Sequence, residues 1–201
     1  EVGEYGYRRV VAGGSAEVGK GNLLVAGQAK LNDGPWELPE DFEGYSGLIK
    51  YSAPLGVGEI KASLNIYKAT WAPTEQLPER TVGWLVKDRY GSLDKTLRGR
   101  TERETFTLNY EDDDWRLTGW AQHYDWSLLS NFTYFLDDPV NGDQLRQYEK
   151  MWSYGGRIER NFTVSDKLKL RVGTELREDS IDPVGLDHTI NGQFDYVKTA
   201  F

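Results

Sequence analysis

Alternation of apolar and polar residues recurs along the chain and predicts long β-strands. Residues 58–70 and 166–177 show it most clearly, because almost every other residue is apolar and the residues between them are mostly polar or charged. The apolar members are Ile60, Ala62, Leu64 and Ile66 in the first segment, and Leu168, Leu170, Val172 and Leu176 in the second. Successive side chains of a strand point to opposite faces, so each segment has one apolar and one charged face.

Weaker alternation marks further candidate strands, which bring the predicted total to about eight, most of them longer than the usual five or six residues. Their approximate bounds are 5–18, 22–31, 44–53, 101–111, 115–127 and 151–164. Short helical turns are predicted only within residues 75–90 and 143–150.

The connectors between these strands alternate in length. The short ones are GKGN (19–22), PLGVG (54–58), EDDD (111–114) and VSDK (164–167), and the long ones are residues 31–44, about 72–100 and about 130–150. In an up-and-down antiparallel sheet every second connector leaves from the same end, so short turns and long loops would lie at opposite ends. The sequence therefore predicts an all-β fold, an antiparallel up-and-down meander of about eight long strands with the pattern of an outer-membrane β-barrel.

Aromatic residues near the predicted strand ends are expected to form girdles at the two membrane interfaces. They are Tyr67, Trp71, Trp115, Trp126, Trp152 and Tyr154. The alternative explanation is that Trp and Tyr are common in any β-sheet.

Composition and motifs narrow the function classes. The 201 residues carry a net charge of -8, which disfavours nucleic acid as a partner, and the absence of Cys excludes disulfides and thiolate chemistry. His123 lies on a predicted strand and His188 in a predicted terminal loop, and no hydrolase, zinc-protease or phosphate-loop motif is present. We therefore expect a protein that is not an enzyme, with no catalytic residue, cofactor or resident metal ion.

Five stretches, in this order, resemble the barrel domain of TonB-dependent outer-membrane receptors of a proteobacterial subgroup. They are GYRRVVAGGS (6–15), GNLLVAGQAKLNDGPWELPEDF (21–42), ATWAPTEQLPER (69–80), LLSNFTYFLDDPVNGDQ (128–144) and REDSIDPVGLDHT (177–189). The resemblance spans almost the whole chain and implies that residues 1–201 are an early part of a barrel of about 22 strands that a plug domain closes. Neither the plug nor a TonB box is recognisable in the sequence.

The resemblance also implies a function. A receptor of this kind takes up a scarce nutrient, such as a siderophore–iron complex, across the outer membrane of a Gram-negative bacterium. The partners expected from it are outer-membrane lipid, the TonB complex acting through the absent plug, and a small-molecule or metal-chelate ligand. The ligand would be captured by the long outer loops and the rim of the lumen. The matching candidate residues are Trp36, Trp71, Gln76, Arg80, Tyr134 and Phe135, and packing of the loops against each other explains them equally well.

The stretch SNFTYFLDDPVNGDQ (130–144) has acidic and amide side chains around a Pro and a Gly. A calcium loop of the EF-hand kind is disfavoured because Pro139 falls where a ligand belongs. Glycosylation of the Asn-Phe-Thr triplet is not expected in an outer-membrane protein of a bacterium. Because Asp-Pro and Asn-Gly favour turns, we predict a strand end that runs into a folded outer loop.

Two alternatives to a receptor segment stay open at this point. A free-standing eight-stranded barrel, favoured by the terminal Phe201, would need its first and last strands to pair. A soluble β-sandwich that binds carbohydrate through exposed Trp and Tyr would need two sheets packed on each other. On the charged face expected to line the lumen, a hairpin over residues 157–177 that turns at Ser165-Asp166 would let opposite charges pair across its strands.

Overall fold

The computed structural model describes residues 1–200, which form one antiparallel β-sheet of nine strands in chain order. The strands are β1 (Arg8–Val18), β2 (Gly21–Asn32), β3 (Phe42–Leu55), β4 (Gly58–Trp71), β5 (Gly99–Glu111), β6 (Trp115–Ser130), β7 (Leu145–Ser165), β8 (Leu168–Ile190) and β9 (Gln193–Ala200). The helical structure of the described residues is one 3-10 turn, Glu79–Thr81. The predicted all-β antiparallel meander is confirmed.

Short turns and long loops lie at opposite ends of the sheet, as predicted. Residues 19–20, 56–57, 112–114 and 166–167 form the short turns at one end. At the other end are loop A (33–41), loop B (72–98) and loop C (131–144). The turn between β8 and β9, residues 191–192, is short but lies at the long-loop end, because β8 runs towards that end.

The register places the apolar residues of neighbouring strands on one continuous face, because directly opposite residues share a face. Leu64 lies opposite Ile49 on one side and Phe106 on the other. The preceding residue of the strand, Ser63, lies between Lys50 and Thr107 on the reverse face. The sheet thus has an apolar face and a polar face, as the alternation predicted.

The apolar face is exposed in the described part of the chain. Ile49 is 47% exposed and Phe106 45%, although both lie in the middle of long strands, and Leu170 near the start of β8 is 50% exposed. The buried hydrophobic residues are Ala53, Ala69, Ala72, Val86, Leu97 and Tyr134. Most of these are small or belong to loops B and C, so the side-chain packing is concentrated at the long-loop end. No helix among the described residues has the length and apolar character needed to cross a membrane.

Three details of the predicted strands are wrong. The described residues hold nine strands instead of about eight, because Asn191 and Gly192, with φ of 50° and 79°, turn the chain back into β9. Residues 143–150 hold no helical turn, since β7 already begins at Leu145, which pairs with His188. His188 therefore lies in β8 and not in a terminal loop, and only 3% of it is exposed.

The girdle prediction is wrong for half of its residues. Tyr67, Trp71 and Trp126 lie on the polar face, where the register pairs them with Arg103, Gly99 and Thr101 respectively. Trp115, Trp152 and Tyr154 lie on the apolar face. Tyr154 is opposite Ala121, which is itself opposite Phe106 of that face. Trp152 is two residues from Tyr154, and Trp115 is two residues from Leu117, so both share the same face. Position near a strand end was not sufficient, because the odd or even place of a residue in its strand decides its face.

Both alternatives to a receptor segment fail on the topology. β1 pairs only with β2 and β9 only with β8, so the described sheet is open and is not a closed eight-stranded barrel. There is one sheet in residues 1–200 and not two packed sheets, which excludes the β-sandwich. Phe201 lies outside the described residues.

The predicted charge pairing across the hairpin of β7 and β8 is confirmed. Arg157 lies directly opposite Glu175 on the polar face, and its Nε donates a hydrogen bond of 2.6 Å to Oε2 of that carboxylate. Both side chains are about half exposed.

Candidate ligand-binding loops

Loop C folds around the carboxylate of Asp143. Three successive backbone amides donate hydrogen bonds to it: Leu136 and Asp138 at 2.7 Å each and Asp137 at 3.1 and 3.2 Å. Burial acts to raise the pKa of Asp143, but these amides and the Thr133 side chain outweigh burial and hold the pKa below its usual range.

A second carboxylate of loop C stabilises the turn after Pro139. Asp138 accepts hydrogen bonds of 2.9 Å from the backbone amides of Val140 and Asn141, which lower its pKa. The prediction of a folded turn over DDPVNGDQ is thus confirmed. No group of three or more His, Asp or Glu residues in the described chain could hold a metal ion.

Loop C is joined to loop B through Asn131. Its backbone amide donates hydrogen bonds of 2.8 Å to both oxygens of Glu75, and its side-chain amide donates one of 2.8 Å to Asp94. Burial raises the pKa of Glu75. The hydrogen bond from the Asn131 amide lowers this pKa and the negative charge of Asp94 raises it, so the pKa stays above its usual value. Burial also acts to raise the pKa of Asp94, but hydrogen bonds from Asn131, Thr96 and Gln144 bring it below its usual value.

The side-chain amide of Gln144 links loop B to the hairpin of β8 and β9. Its Nε2 donates a hydrogen bond of 2.7 Å to Asp94. Its Oε1 accepts hydrogen bonds from the Thr189 hydroxyl at 2.9 Å and from the Gly192 amide at 2.7 Å. One side chain, 3% exposed, therefore connects three segments that are distant in sequence.

His188 holds the end of loop C against β9. Its Nε2 lies 2.8 Å from the carbonyl oxygen of Gly142, and its Nδ1 lies 3.0 Å from Asp195. The ring also stacks on Tyr196, with 4.9 Å between centroids. These contacts give His188 a role in holding the loop.

Tyr134 forms the buried centre of the loop cluster. Its backbone has a φ of 61°, in the left-handed region that residues other than Gly rarely adopt. Its hydroxyl donates a hydrogen bond of 3.1 Å to the carbonyl oxygen of Gln76. Burial raises the pKa of Tyr134 to about 12, with smaller contributions from the charges of Glu75 and Asp94. The hydroxyl is therefore a neutral donor at any ordinary pH.

Three of the six predicted ligand residues come together. Arg80, Tyr134 and Phe135 line one groove of about 710 Å³ between loops B and C, called the loop groove below. Its other walls include Trp84, Leu85, Lys95 and Leu136. Trp84 and Lys95 were not predicted from the sequence, although both lie in the predicted long loop. A Trp in a long loop was the one signal that could have found Trp84, but the sequence alone did not show which loop residues would meet.

The other three predicted residues lie elsewhere. Trp36 donates a hydrogen bond of 2.9 Å from Nε1 to Glu40 and contacts Tyr90, so it packs loop A against loop B. The indole of Trp71 covers Gly99, where any Cβ would collide with the ring. Gln76 contributes its backbone carbonyl to Tyr134. For Trp36, the alternative of loop packing is the one that the structure supports.

Comparison with known proteins gave no further information. The chain matches no family model, no curated protein and no solved structure.

Proposed function

We propose that the chain is a segment of the barrel wall of a TonB-dependent outer-membrane receptor. The observation that carries the proposal is the single sheet whose exposed face is apolar and whose reverse face is polar. In water such a face is unfavourable, whereas lipid is the solvent that matches it. The face would contact outer-membrane lipid, and the polar face would line the lumen.

The extent of the apolar face fits a bilayer. On β3, the residues of this face carry no charge from Tyr45 to Ala53, which at about 3.3 Å per residue is roughly 26 Å along the strand. At the usual strand tilt of about 40° this spans roughly 20 Å of the membrane normal, close to the apolar band of roughly 25 Å in outer-membrane barrels. Towards the long loops, ion pairs replace apolar residues on the same face. They are Lys68 with Glu102 at 3.2 Å and Arg100 with Asp125 at 2.7 Å. Charges at this level suit the water-exposed rim of a membrane.

The unequal connectors support an orientation. Outer-membrane barrels have short turns on the periplasmic side and longer loops outside the cell. Loops A, B and C would therefore face the medium, where a nutrient is first met.

The open edges support a segment of a larger wall. β1 and β9 each have one side without a partner strand in the described residues, and unpaired backbone groups are very unfavourable in lipid. Further strands, to a total of about 22, would satisfy them. The whole receptor would take up a scarce nutrient, such as a siderophore–iron complex, with energy from the TonB complex acting through a plug. This is transport and not an enzymatic reaction.

Fluorescence quenching tests which face meets an apolar phase. The folded chain is placed in micelles of a detergent with a brominated alkyl tail, which quenches nearby Trp. We expect Trp152→Phe, on the apolar face, to remove a large share of the quenching, and Trp126→Phe, on the polar face, to remove little. Equal losses from both variants would contradict the proposal.

A further inference from the structure

We propose that the loop groove binds a small organic anion with a flat apolar body, such as an aromatic carboxylate or sulfonate. This inference deepens the proposed function and rests on it, since an uptake receptor must first hold its solute at the outer loops. The groove volume of about 710 Å³ lies within the range of small-molecule sites.

The apolar part of the groove is unusually exposed. Trp84 is 79% exposed, Leu136 74% and Phe135 61%. These side chains come from two different loops and line the same groove. Aromatic and aliphatic groups grouped in this way in a loop region form a surface that a flat apolar ligand would cover.

The charge of the groove selects an anion. Arg80 and Lys95 both line it, and neither makes an ion pair with any residue of the described range 1–200. Asp94, the sequence neighbour of Lys95, already accepts hydrogen bonds from Thr96, Asn131 and Gln144. Two cations beside an aromatic surface therefore remain available to a carboxylate or sulfonate.

The groove has a firm base, which lowers the entropic cost of binding. Tyr134 lines it and is held by its hydrogen bond to the Gln76 carbonyl. Behind Tyr134, Asn131 joins loop C to Glu75 and Asp94 of loop B. The walls are thus fixed relative to each other before a ligand arrives.

Binding of pyrenetetrasulfonate, a fluorescent aromatic anion too polar to enter micelles, tests the proposal. Its anisotropy is measured with the full chain folded in detergent, and the quenching experiment above is run on the same samples. We expect Arg80→Ala and Lys95→Ala each to weaken binding by up to roughly fivefold, the effect of losing one partly exposed ion pair. We expect Trp84→Ala to weaken it by a similar factor through lost stacking.

Lys87→Ala and Val140→Ala are the matched controls, because they remove a cation from loop B and an exposed apolar residue from loop C outside the groove. Both should bind the probe as the unaltered chain does. Absence of binding, an equal loss from Lys87→Ala, or no effect of Trp84→Ala would each overturn the proposal. Because quenching reports the apolar face independently, failure of the groove and failure of the membrane assignment give different results.

Discussion

Gln144 of loop C donates a hydrogen bond of 2.7 Å to Asp94 of loop B, across 50 positions of the sequence. The same side chain accepts hydrogen bonds from the Thr189 hydroxyl and the Gly192 amide at the tip of the β8–β9 hairpin. The long-loop end is therefore one connected polar structure and not a set of independent loops.

Replacement of Gln144 should loosen this whole end. Gln144→Ala leaves the buried Thr189 hydroxyl and the Gly192 amide without their acceptor, at a cost of roughly 1–3 kcal/mol in the free energy of unfolding. Denaturant unfolding measures the loss, and hydrogen exchange should show faster exchange at Gly192. Gln147→Ala, three residues away on β7, is the control and should change neither quantity appreciably.

Loop C should depend on pH through Asp143. Its pKa is lower in the folded chain than the ordinary value of 3.8, so the carboxylate contributes stability above that value and loses it as the pH falls through the folded pKa. We expect protease cleavage in loop C to rise below about pH 4. Asp143→Asn should show faster cleavage already at neutral pH and a flatter acid dependence.

Asp137→Asn is the control for that prediction, because Asp137 contributes only its backbone amide to Asp143. Its cleavage should follow that of the unaltered chain at every pH. If Asp137→Asn and Asp143→Asn behave alike, general loop charge and not the carboxylate–amide contacts controls the loop.

The two faces of β4 should differ sharply in tolerance to charge. Leu64 lies on the apolar face in the middle of the strand, opposite Ile49 and Phe106, so Leu64→Arg should cost roughly 2–4 kcal/mol in a bilayer. Ser63→Arg, on the polar face opposite Lys50 and Thr107, should cost much less. A folding titration into lipid vesicles compares them, and similar costs for both would contradict the assignment of faces.

The ion pair of Arg157 and Glu175 should be weak and sensitive to salt. Both side chains are about half exposed, so a double-mutant cycle should give a small coupling that falls at high salt. Arg171 donates a hydrogen bond of 2.8 Å to the uncharged Asn161 on the same hairpin, and its coupling should change less with salt. The opposite order of salt dependence would speak against an electrostatic origin.

Local periodicity was sufficient to predict most of the sheet. On β4 and the first half of β8, side chains alternate between a polar and an apolar environment. The residue types alternate in the same way, so the strands could be predicted from the sequence. The second half of β8 was missed because Asp182 and Pro183 interrupt the alternation, and the register also shifts opposite them, between Glu149 and Met151 of β7.

The candidate site was less predictable for a different physical reason. Arg80 and Phe135, predicted as ligand residues, both line the loop groove, but the contacts that hold the groove join partners far apart in the chain. Asn131 meets Glu75 across 56 positions, and no local pattern encodes such a meeting. By contrast, the Asp138 turn lies within four residues and was visible in the sequence.

Loop C also has a practical consequence, because five of its backbone amides donate hydrogen bonds to its own carboxylates. Asp143 and Asp138 bind amides that lie within residues 136–141. A cyclic peptide of residues 131–144 therefore contains the carboxylates that accept the hydrogen bonds of its own turn. Such a peptide is a suitable immunogen, and antibodies raised against it would report whether this loop faces the outside of intact cells.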